Sequence, residues 1–379
     1  MFLSENQKNM LETPCVVIDR EQTVKNIKEE QEAVGKNGTA LRPHIKTHKM
    51  PYFAKLQLEA GAGGITSCKV SEALIMADGG CDDIFIAYPL IGRFRFEKAA
   101  VLQKKVKRLI LAVDSLEGAE MLNSFAQEKD IIFEVRLEVD TGAKRTGIAI
   151  EKSVELGKKI DAMSNLNLTG IYTFKSLSMK DGTPTTDNDA AAKEEAELMH
   201  NTAVAMREAG LNIVDISAGS TPTGRQVAES GLVTEVRQGT YIFKDYMLTK
   251  ENCGKLEDIA VRIFATVVST PCEEYAVIDG GTKTFPMDIL LDTAPAYYPG
   301  YAIPLNGDGS INDNLQLRRM NEEHGIITAK NGHTGLKVGE IVELLPIHVC
   351  TAVNMQNEVY IKDGEKLWKQ KVDARGTLV

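Results

Sequence analysis

The chain has 379 residues, of which 43% are hydrophobic and 26% are charged, and its formal net charge is −9. This length suits one large domain with a smaller one, and the acidic balance argues against a nucleic-acid partner. No apolar run reaches the roughly 18 residues of a membrane span. The six cysteines lack framework spacing and the N-terminus lacks a secretory signal, so we expect a cytoplasmic protein.

Short β-branched runs alternate with helix-period segments from residue 15 to residue 250. Eight or nine such units match the size of an α/β fold of the (β/α)8 TIM-barrel type. An open doubly wound sheet is the alternative, but no G-x-G-x-x-G motif follows an early strand. We therefore predict a barrel over 15–250 after an N-terminal segment over 1–14, which we expect to pack on the C-terminal domain. The predicted strands are Cys15–Asp19, Thr39–Lys46, Gly64–Ser67, Asp83–Tyr88, Arg108–Val113, Ile131–Val139, Leu168–Phe174, Ile213–Ser217 and Val233–Tyr241.

The chemically most distinctive segment is Leu41–Met50, in which cations and imidazoles crowd the end of an early strand. Lys46 stands at the predicted mouth of that strand, where a lysine can act as an amine nucleophile and form a Schiff base. From charge alone the alternative is a solvated basic loop. His44 and His48 flank Lys46; they either tune its pKa or contact the substrate, or they make structural hydrogen bonds.

Two segments in the middle of the barrel offer contacts for a planar ring. Arg145 follows a predicted strand and can hydrogen-bond a ring hydroxyl, or it can pair with Asp140 in a turn. Tyr172 ends the next strand and either lines a cofactor ring or belongs to the core.

Late in the barrel, two loops carry glycines and hydroxyls where barrel enzymes bind phosphate. Such residues let backbone N–H groups approach an anion at a helix N-terminus, although an ordinary Ser/Thr-rich turn is the alternative. An amine early in a barrel and a phosphate cradle late in it meet the requirements of pyridoxal 5'-phosphate (PLP). The predicted cradle residues are Gly219, Ser220, Thr221, Gly239 and Thr240.

The sequence pattern of residues 251–379 predicts a mostly-β domain without a long helix. His348 and Cys350 lie two apart on a predicted strand and would share a face. Imidazole with thiolate suits zinc best, with manganese another possibility, and two protein ligands leave room for water and substrate. A His-x-Cys pair on a strand is otherwise most often packing. The predicted strands are Val261–Thr270, Tyr275–Asp279, Gly325–Ala329, Glu340–Pro346 and Glu358–Lys362.

Together these motifs resemble the fold-type III PLP enzymes, within them the D-threonine aldolase and metal-dependent D-serine dehydratase group. The resemblance implies that Lys46 is the Schiff-base lysine, with Lys49 the less favoured alternative, and that His348 and Cys350 bind a divalent metal. It also implies a homodimer. The segments that carry it are Thr13–Asp19, Arg42–Lys49, Asp140–Gly147, Gly219–Thr223 and Pro346–Asn354.

One segment departs from the pattern of the group. Relatives often carry imidazoles and glycine where this chain has Phe174, Lys175 and Leu177. The resemblance implies a lyase for D-3-hydroxy amino acids, with dehydration to a 2-oxo acid favoured over aldol cleavage because of the thiol of Cys350. The alternatives are a racemase, whose second base would be Tyr297, Tyr298 or Tyr301, and a PLP carrier without catalytic activity.

Overall fold

The computed structural model describes residues 2–175 and 187–379, together with the backbone of residues 179–180 and 183–184. The chain forms two compact units. The barrel unit comprises Ile27–Tyr241 and Thr377–Val379, and the β unit comprises Met1–Asn26 and Ile242–Gly376. Among the described residues, no helix is long and apolar enough to cross a membrane.

The strands of the described residues are mostly short. In chain order they are β1 (Cys15–Asp19), β2 (Ala40–Leu41), β3 (Ile65–Ser67), β4 (Asp83–Pro89), β5 (Arg108–Val113), β6 (Phe133–Asp140), β7 (Ile148–Ala149), β8 (Leu166–Tyr172), β9 (Met179–Lys180), β10 (Thr183–Pro184), β11 (Asp215–Ala218), β12 (Glu235–Val236), β13 (Val261–Ser269), β14 (Tyr275–Ile278), β15 (Ala302–Pro304), β16 (Leu315–Met320), β17 (Gly325–Ala329), β18 (Ile341–Pro346), β19 (Glu358–Asp363) and β20 (Lys366–Lys371).

The α-helices fall mainly between the strands of the barrel unit. In chain order they are α1 (Glu5–Lys8), α2 (Arg20–Gly35), α3 (Pro51–Glu59), α4 (Val70–Asp78), α5 (Arg93–Gln103), α6 (Leu116–Glu128), α7 (Ile150–Asp161), α8 (Asn188–Glu208), α9 (Gly224–Glu229), α10 (Tyr246–Lys250) and α11 (Val349–Met355). In the part of the chain that the structure describes, short 3-10 helices span Ile45–Thr47, Thr240–Ile242 and Leu256–Asp258.

The barrel unit is built on parallel strands in the order β2-β3-β4-β5-β6-β8-β11-β12, and β12 pairs with β2 to close the ring. The segment that follows β2 meets β3 through an isolated parallel bridge between His44 and Thr66. This ring of eight parallel strands with intervening helices confirms the predicted (β/α)8 barrel.

A buried ion network fills part of the barrel interior. Arg136 is fully buried and donates to Glu235 at 2.7 Å and to Asp215 at 2.8 Å. Arg42 donates to the second oxygen of Glu235 at 2.6 Å. Burial would raise the pKa of Glu235, but the two arginines outweigh burial and hold it well below its usual range. The network therefore keeps its charges paired inside a low-dielectric core.

The β unit is a mixed sheet in the order β16-β17-β14-β13-β1-β19-β20, with β18 on β13 and β15 on β18. Its N-terminal part contributes to the same core, since Leu3 clusters with Val17, Phe264 and Tyr360. The expected mostly-β C-terminal domain is therefore confirmed as an element of the fold.

Three sequence-based predictions of strands are wrong. The predicted strand Thr39–Lys46 is reduced to Ala40–Leu41, and a 3-10 helix spans Ile45–Thr47. Cys15–Asp19 does not open the barrel, because it pairs with β13 and β19 of the β unit. A short buried run fits any sheet, and its composition does not select its partner strands. The predicted strand Val233–Tyr241 is reduced to Glu235–Val236, since a 3-10 helix begins at Thr240.

Candidate cofactor and metal sites

Lys46 lies on the 3-10 helix that follows strand β2. His44 caps this helix, and its Nδ1 accepts a hydrogen bond from the Lys46 backbone N–H at 3.3 Å. Burial lowers the pKa of His44 well below its usual range, and the charge of Lys46 lowers it further. His44 is therefore neutral, and its Nε2 lies 3.2 Å from the Sγ of Cys68. The imidazole thus holds the backbone of Lys46 without adding a charge.

Lys46 and Lys49 differ in the partners of their amines. Lys49 is buried, and its Nζ lies 3.3 Å from a carboxylate oxygen of Glu72. Lys46 is only partly buried, and its Nζ makes no hydrogen bond or ion pair with the described residues. Withdrawing an amine from a buried ion pair leaves an unpaired charge, which is strongly destabilising. Lys46 is therefore the more available of the two amines.

The ring of Phe174 brings Lys46 and Arg145 together. Lys46 Nζ lies 5.8 Å from the ring centroid, and the guanidinium carbon of Arg145 lies 4.4 Å from it. Both distances are within the range of cation–π attraction. Phe174 belongs to the segment that departs from the pattern of the relatives, and Leu177 of that segment lies outside the described residues. The Phe174 ring therefore lies near both the amine of Lys46 and the guanidinium of Arg145.

The alternative partner of Arg145, Asp140, is engaged elsewhere. One oxygen of Asp140 accepts hydrogen bonds from the backbone N–H groups of Gly142, at 2.8 Å, and Lys144, at 3.1 Å. This turn leaves Arg145 exposed. Its guanidinium is thus accessible to a hydrogen-bond acceptor.

Gly219 and Gly239 occupy positions where a side chain would be crowded. Gly219 has φ +79°, and a Cβ there would lie 3.0 Å from the Cα of Gly224. A Cβ on Gly239 would lie 3.0 Å from the carbonyl oxygen of His44. The glycine loops therefore allow close backbone approach, and the second one adjoins the turn that carries Lys46. This cradle fits the phosphate and aldehyde ends of PLP.

The carboxylate of Glu195, on α8, underlies the first glycine loop. Gly219 N–H donates to Glu195 Oε1 and the Thr223 hydroxyl donates to Oε2, both at 2.9 Å. Ser220 N–H donates to Thr223 Oγ1 at 3.1 Å. The loop conformation is thus fixed from behind by one buried side chain. The two remaining predicted cradle residues are partly buried: Thr221 and Thr240.

Arg237 is a site residue that the sequence-based reasoning missed. Its backbone N–H donates to the Gly219 carbonyl at 3.3 Å, and its guanidinium donates to Ser217 Oγ at 2.7 Å and to the Thr173 carbonyl. It therefore ties the ends of β8 and β11 to the segment before Gly239. The signal was a cation two residues before a glycine in a segment already expected to bind an anion.

Tyr172 lies in the barrel interior and is 1% exposed. Its hydroxyl donates to Glu138 Oε2 at 2.8 Å, and its ring meets Phe85 edge-on with the centroids 5.0 Å apart. Burial raises the pKa of Tyr172 well above its usual range, and Glu138 raises it further. Tyr172 therefore remains a protonated donor within a core cluster, so any contact with a cofactor ring stays a prediction.

In the β unit, His348 is held by a carboxylate. Its Nδ1 lies 2.6 Å from Oδ2 of Asp288, to which the Thr351 hydroxyl also donates at 3.3 Å. Burial lowers the pKa of His348, but hydrogen bonds with Asp288 and Cys350 outweigh burial and raise it to about 11. These surroundings stabilise positive charge at the imidazole. A divalent cation fits the same surroundings when the proton is absent.

The geometry of the His348–Cys350 pair differs from the prediction. Strand β18 ends at Pro346, His348 is the N-cap of α11, and Cys350 lies on that helix. The shared strand face is therefore wrong, yet the two side chains come within hydrogen-bond distance. The described residues contain no cluster of three or more His, Cys, Asp and Glu suited to a metal ion. The protein thus offers two donors, an imidazole and a thiol, which suits an open metal site.

Asp245 holds the start of the helix that carries Cys350. It is buried, and its carboxylate accepts from the backbone N–H groups of Leu248, at 3.0 Å, and Val349, at 2.9 Å. Burial raises the pKa of Asp245 to about 6. It joins the starts of α10 and α11, so it fixes the helix that carries Cys350. The only sequence signal for this role was a helix N-cap at Asp245.

The comparison with protein families matches the alanine racemase N-terminal domain to residues 18–247 and a serine dehydratase domain to residues 260–362. The chain belongs to the alanine racemase-like family of fold-type III PLP enzymes. It is 31% identical over 350 residues to D-threo-3-hydroxyaspartate dehydratase of Delftia sp., covering 90% of this chain and 91% of the relative. It is 26% identical to a D-threonine aldolase of Arthrobacter sp., covering 97% and 93%.

Solved structures of the family share the fold over nearly the whole chain. The dehydratase of Delftia sp. aligns with a TM-score of 0.87 at 28% identity, covering 96% of this chain and 97% of that one. A variant of D-threo-3-hydroxyaspartate dehydratase with a cysteine replaced by alanine, solved in a metal-free form, aligns with the same TM-score, identity and coverage. The expected family, fold and PLP-dependent lyase class are therefore confirmed.

Proposed function

We propose that the chain is a PLP- and divalent-metal-dependent lyase acting on D-3-hydroxy amino acids, with dehydration to a 2-oxo acid and ammonia as its main reaction. The observation that carries this proposal is the partly buried amine of Lys46, which has no ionic partner among the described residues and belongs to the turn that Gly239 adjoins. The relatives named as dehydratases and aldolases of D-hydroxy amino acids support the substrate class.

Lys46 has two roles in the proposal. Its Nζ would hold the cofactor aldehyde, and as a free amine it would take the proton from Cα of the substrate. PLP, when bound, supplies an electron sink for the negative charge at Cα. The neutral imidazole of His44 fixes the backbone of Lys46, so the free amine stays in position while the proton moves.

Further residues of the barrel unit hold the cofactor. The loops Gly219–Thr221 and Gly239–Thr240 would bind its phosphate through hydroxyls and through backbone N–H groups other than those of Gly219 and Ser220, which donate within the protein. Arg145, which is exposed beside the Phe174 ring, hydrogen-bonds the ring hydroxyl. Tyr172 would lie along the ring of the cofactor.

His348 and Cys350 hold the divalent ion. Asp288 accepts from Nδ1 of His348, so Nε2 would be the nitrogen that binds the ion, and the Cys350 thiol would give up its proton on binding. The ion supplies a Lewis acid for the 3-hydroxyl of the substrate. An imidazole and a thiolate favour zinc over manganese. By family resemblance, a thiolate among the metal ligands favours loss of the 3-hydroxyl over cleavage of the bond between Cα and Cβ.

A product assay tests the proposal. Purified protein with PLP and zinc is incubated with D-serine, D-threonine and D-3-hydroxyaspartate, and the 2-oxo acid, ammonia and aldehyde are measured. We expect a 2-oxo acid with equal ammonia, lost after chelation and restored by metal. If glycine and an aldehyde form instead, the main reaction is aldol cleavage and not dehydration. If the protein racemises D-alanine and keeps this activity after chelation, the proposed activity is that of a racemase, with a tyrosine such as Tyr298 as second base. No turnover of any substrate would overturn the enzyme proposal in favour of a PLP carrier.

Two further expectations belong to the same proposal. The family resemblance implies a homodimer, which light scattering coupled to size-exclusion chromatography measures directly. The cytoplasmic location stays a prediction, checked by fractionation of the cells that express the protein.

A further inference from the structure

Glu195 is a fully buried carboxyl that the proposed reaction does not use. It lies on α8 and accepts hydrogen bonds from the backbone of Gly219 and the hydroxyl of Thr223, at 2.9 Å each. A buried carboxylate directly behind a loop that binds a phosphate dianion is electrostatically unfavourable. Its presence there therefore calls for a reason beyond packing.

The hydrogen bonds form a chain from Glu195 through Thr223 to Ser220. Thr223 Oγ1 lies 2.9 Å from Glu195 Oε2 and 3.3 Å from Ser220 Oγ, and it also accepts the Ser220 N–H at 3.1 Å. A threonine hydroxyl has one proton and two acceptor sites. With these three neighbours all its hydrogen-bonding capacity is used, so the direction of one bond fixes the direction of the others.

The ionised form of Glu195 gives one direction. The carboxylate accepts the Thr223 proton, and Thr223 then accepts from both the N–H and the hydroxyl of Ser220. The Ser220 proton therefore points into the loop. Only oxygen lone pairs of this hydroxyl remain for an incoming anion, and they repel it.

The protonated form of Glu195 reverses the chain. The carboxylic acid donates to Thr223, and Thr223 donates to Ser220 Oγ. The Ser220 hydroxyl proton can then point towards the loop surface. The hydrogen bond from Gly219 N–H to the other carboxyl oxygen is unchanged. One proton on Glu195 thus converts Ser220 from an acceptor into a donor.

We propose that the protonation state of Glu195 controls phosphate affinity of the loop by setting the direction of the Ser220 hydroxyl. This inference rests on the proposed function, in which the loop holds the phosphate of PLP. Glu195 is accordingly a positioning residue that acts through Thr223 and Ser220. Binding of the phosphate favours the protonated form, and loss of that proton weakens binding.

The electrostatic surroundings place this switch near neutrality. Burial raises the pKa of Glu195 to about 7, despite its two hydrogen bonds and the cations Arg237 and Lys175. Lys175 is itself paired with Glu194 at 2.8 Å. The charged groups of adjacent elements are engaged elsewhere: Arg225 of α9 pairs with Glu30, and Asp215 of β11 pairs with Arg136.

The variant Glu195→Gln tests the mechanism because it fixes the protonated pattern. Its amide N–H donates to Thr223 and its carbonyl accepts from Gly219 at every pH. The probe is 4-deoxypyridoxine 5'-phosphate, which lacks the aldehyde and so binds without a covalent link. Its dissociation constant is measured by calorimetry from pH 6 to pH 8.5 for the wild type and the variant. The titration of the probe phosphate near pH 6 is common to both proteins and cancels in their ratio.

We expect equal affinities at pH 6 and a wild type that binds about five- to tenfold more weakly than E195Q at pH 8. The same probe without its phosphate should give a ratio independent of pH. Glu197→Gln is the matched control, since Glu197 is an exposed residue on the same helix and should keep the wild-type profile. Ser220→Ala is the second variant: it should bind more weakly at pH 6 and lose the dependence on Glu195.

Three outcomes would overturn the inference. They are identical pH profiles for the wild type and E195Q, a wild-type profile in the Ser220→Ala variant, and the same pH-dependent ratio for the probe without phosphate. A wild type that does not bind the phosphate probe at pH 6 would instead overturn the proposed function itself. The experiment therefore separates the two failures.

Discussion

His348 Nδ1 and Asp288 Oδ2 lie 2.6 Å apart. The carboxylate fixes the plane of the imidazole and its tautomer, so the Nε2 lone pair is directed away from Asp288. Partners of this kind on metal-bound histidines raise the basicity of the ligand and orient it. Although the prediction of His348 and Cys350 on one strand is wrong, this carboxylate supports the proposal that the pair binds a metal ion.

Replacing Asp288 by alanine should weaken metal binding about 10- to 100-fold, because the His348 ring loses its orienting acceptor. Competition with a chromogenic chelator measures the affinity. Asp292→Ala is the control, since Asp292 lies in the same loop and pairs with Arg318. Equal affinities for the two variants would contradict the proposed role of Asp288.

Cys350→Ala should abolish tight metal binding while leaving PLP binding unchanged. The thiolate is one of the two proposed protein ligands, and the cofactor residues belong to the other unit of the chain. Metal content by atomic emission and cofactor absorbance are measured on the same sample. A variant that keeps a full equivalent of metal would remove Cys350 from the ligand set.

Acidification should destabilise the protein partly through His48. Burial lowers its pKa from 6.5 to about 4, so the unfolded state takes up the proton first as the pH falls. Its contribution to stability is complete above pH 6.5 and is lost between pH 6.5 and pH 4. The loss amounts to about 3 kcal/mol.

Urea unfolding at pH 7.5 and pH 4.5 checks this contribution in His48→Asn, which keeps an acceptor for the Met50 N–H. The variant should lose less stability than the wild type over this interval. His324→Asn, at an exposed position, should behave like the wild type. A variant as sensitive to acid as the wild type would rule out His48 as a source of the pH dependence.

Arg136→Met should destabilise the barrel unit by about 3–5 kcal/mol, because the buried carboxylate of Glu235 and the partly buried carboxylate of Asp215 each lose a partner. The midpoint of urea unfolding reports the loss. The exposed pair of Arg93 and Glu128 supplies the control, since Arg93→Met should leave the midpoint nearly unchanged. A similar midpoint for both variants would contradict the structural importance of the buried network.

The barrel was predictable from sequence because alternation of β-branched runs and helix-period segments reflects local physics. β5, for example, has the predicted bounds Arg108–Val113. The placement of Cys15–Asp19 was not predictable, since a strand's partners depend on the whole chain. The local form of the His348–Cys350 segment was also missed, because residues two apart can be close at a strand–helix junction as well as on a strand.

Long-range contacts explain the site residues that the sequence did not indicate. Asp288 lies sixty residues from His348, and Glu195 lies on a helix where a buried carboxyl has no local signal. Arg237 was within an expected anion-binding segment, yet only its glycine and hydroxyl neighbours were selected. The family motif identified Lys46 and favoured it over Lys49, and the buried ion pair of Lys49 with Glu72 supports that preference.

The most direct test of the account is identification of the residue that holds the cofactor. PLP-loaded protein is reduced with borohydride, digested and analysed by mass spectrometry, with Lys46→Ala and Lys49→Ala treated in parallel. We predict a pyridoxyl adduct on Lys46 in the wild type and in Lys49→Ala, and none in Lys46→Ala. An adduct on Lys49, or an unmodified Lys46 in a protein saturated with PLP, would contradict the account.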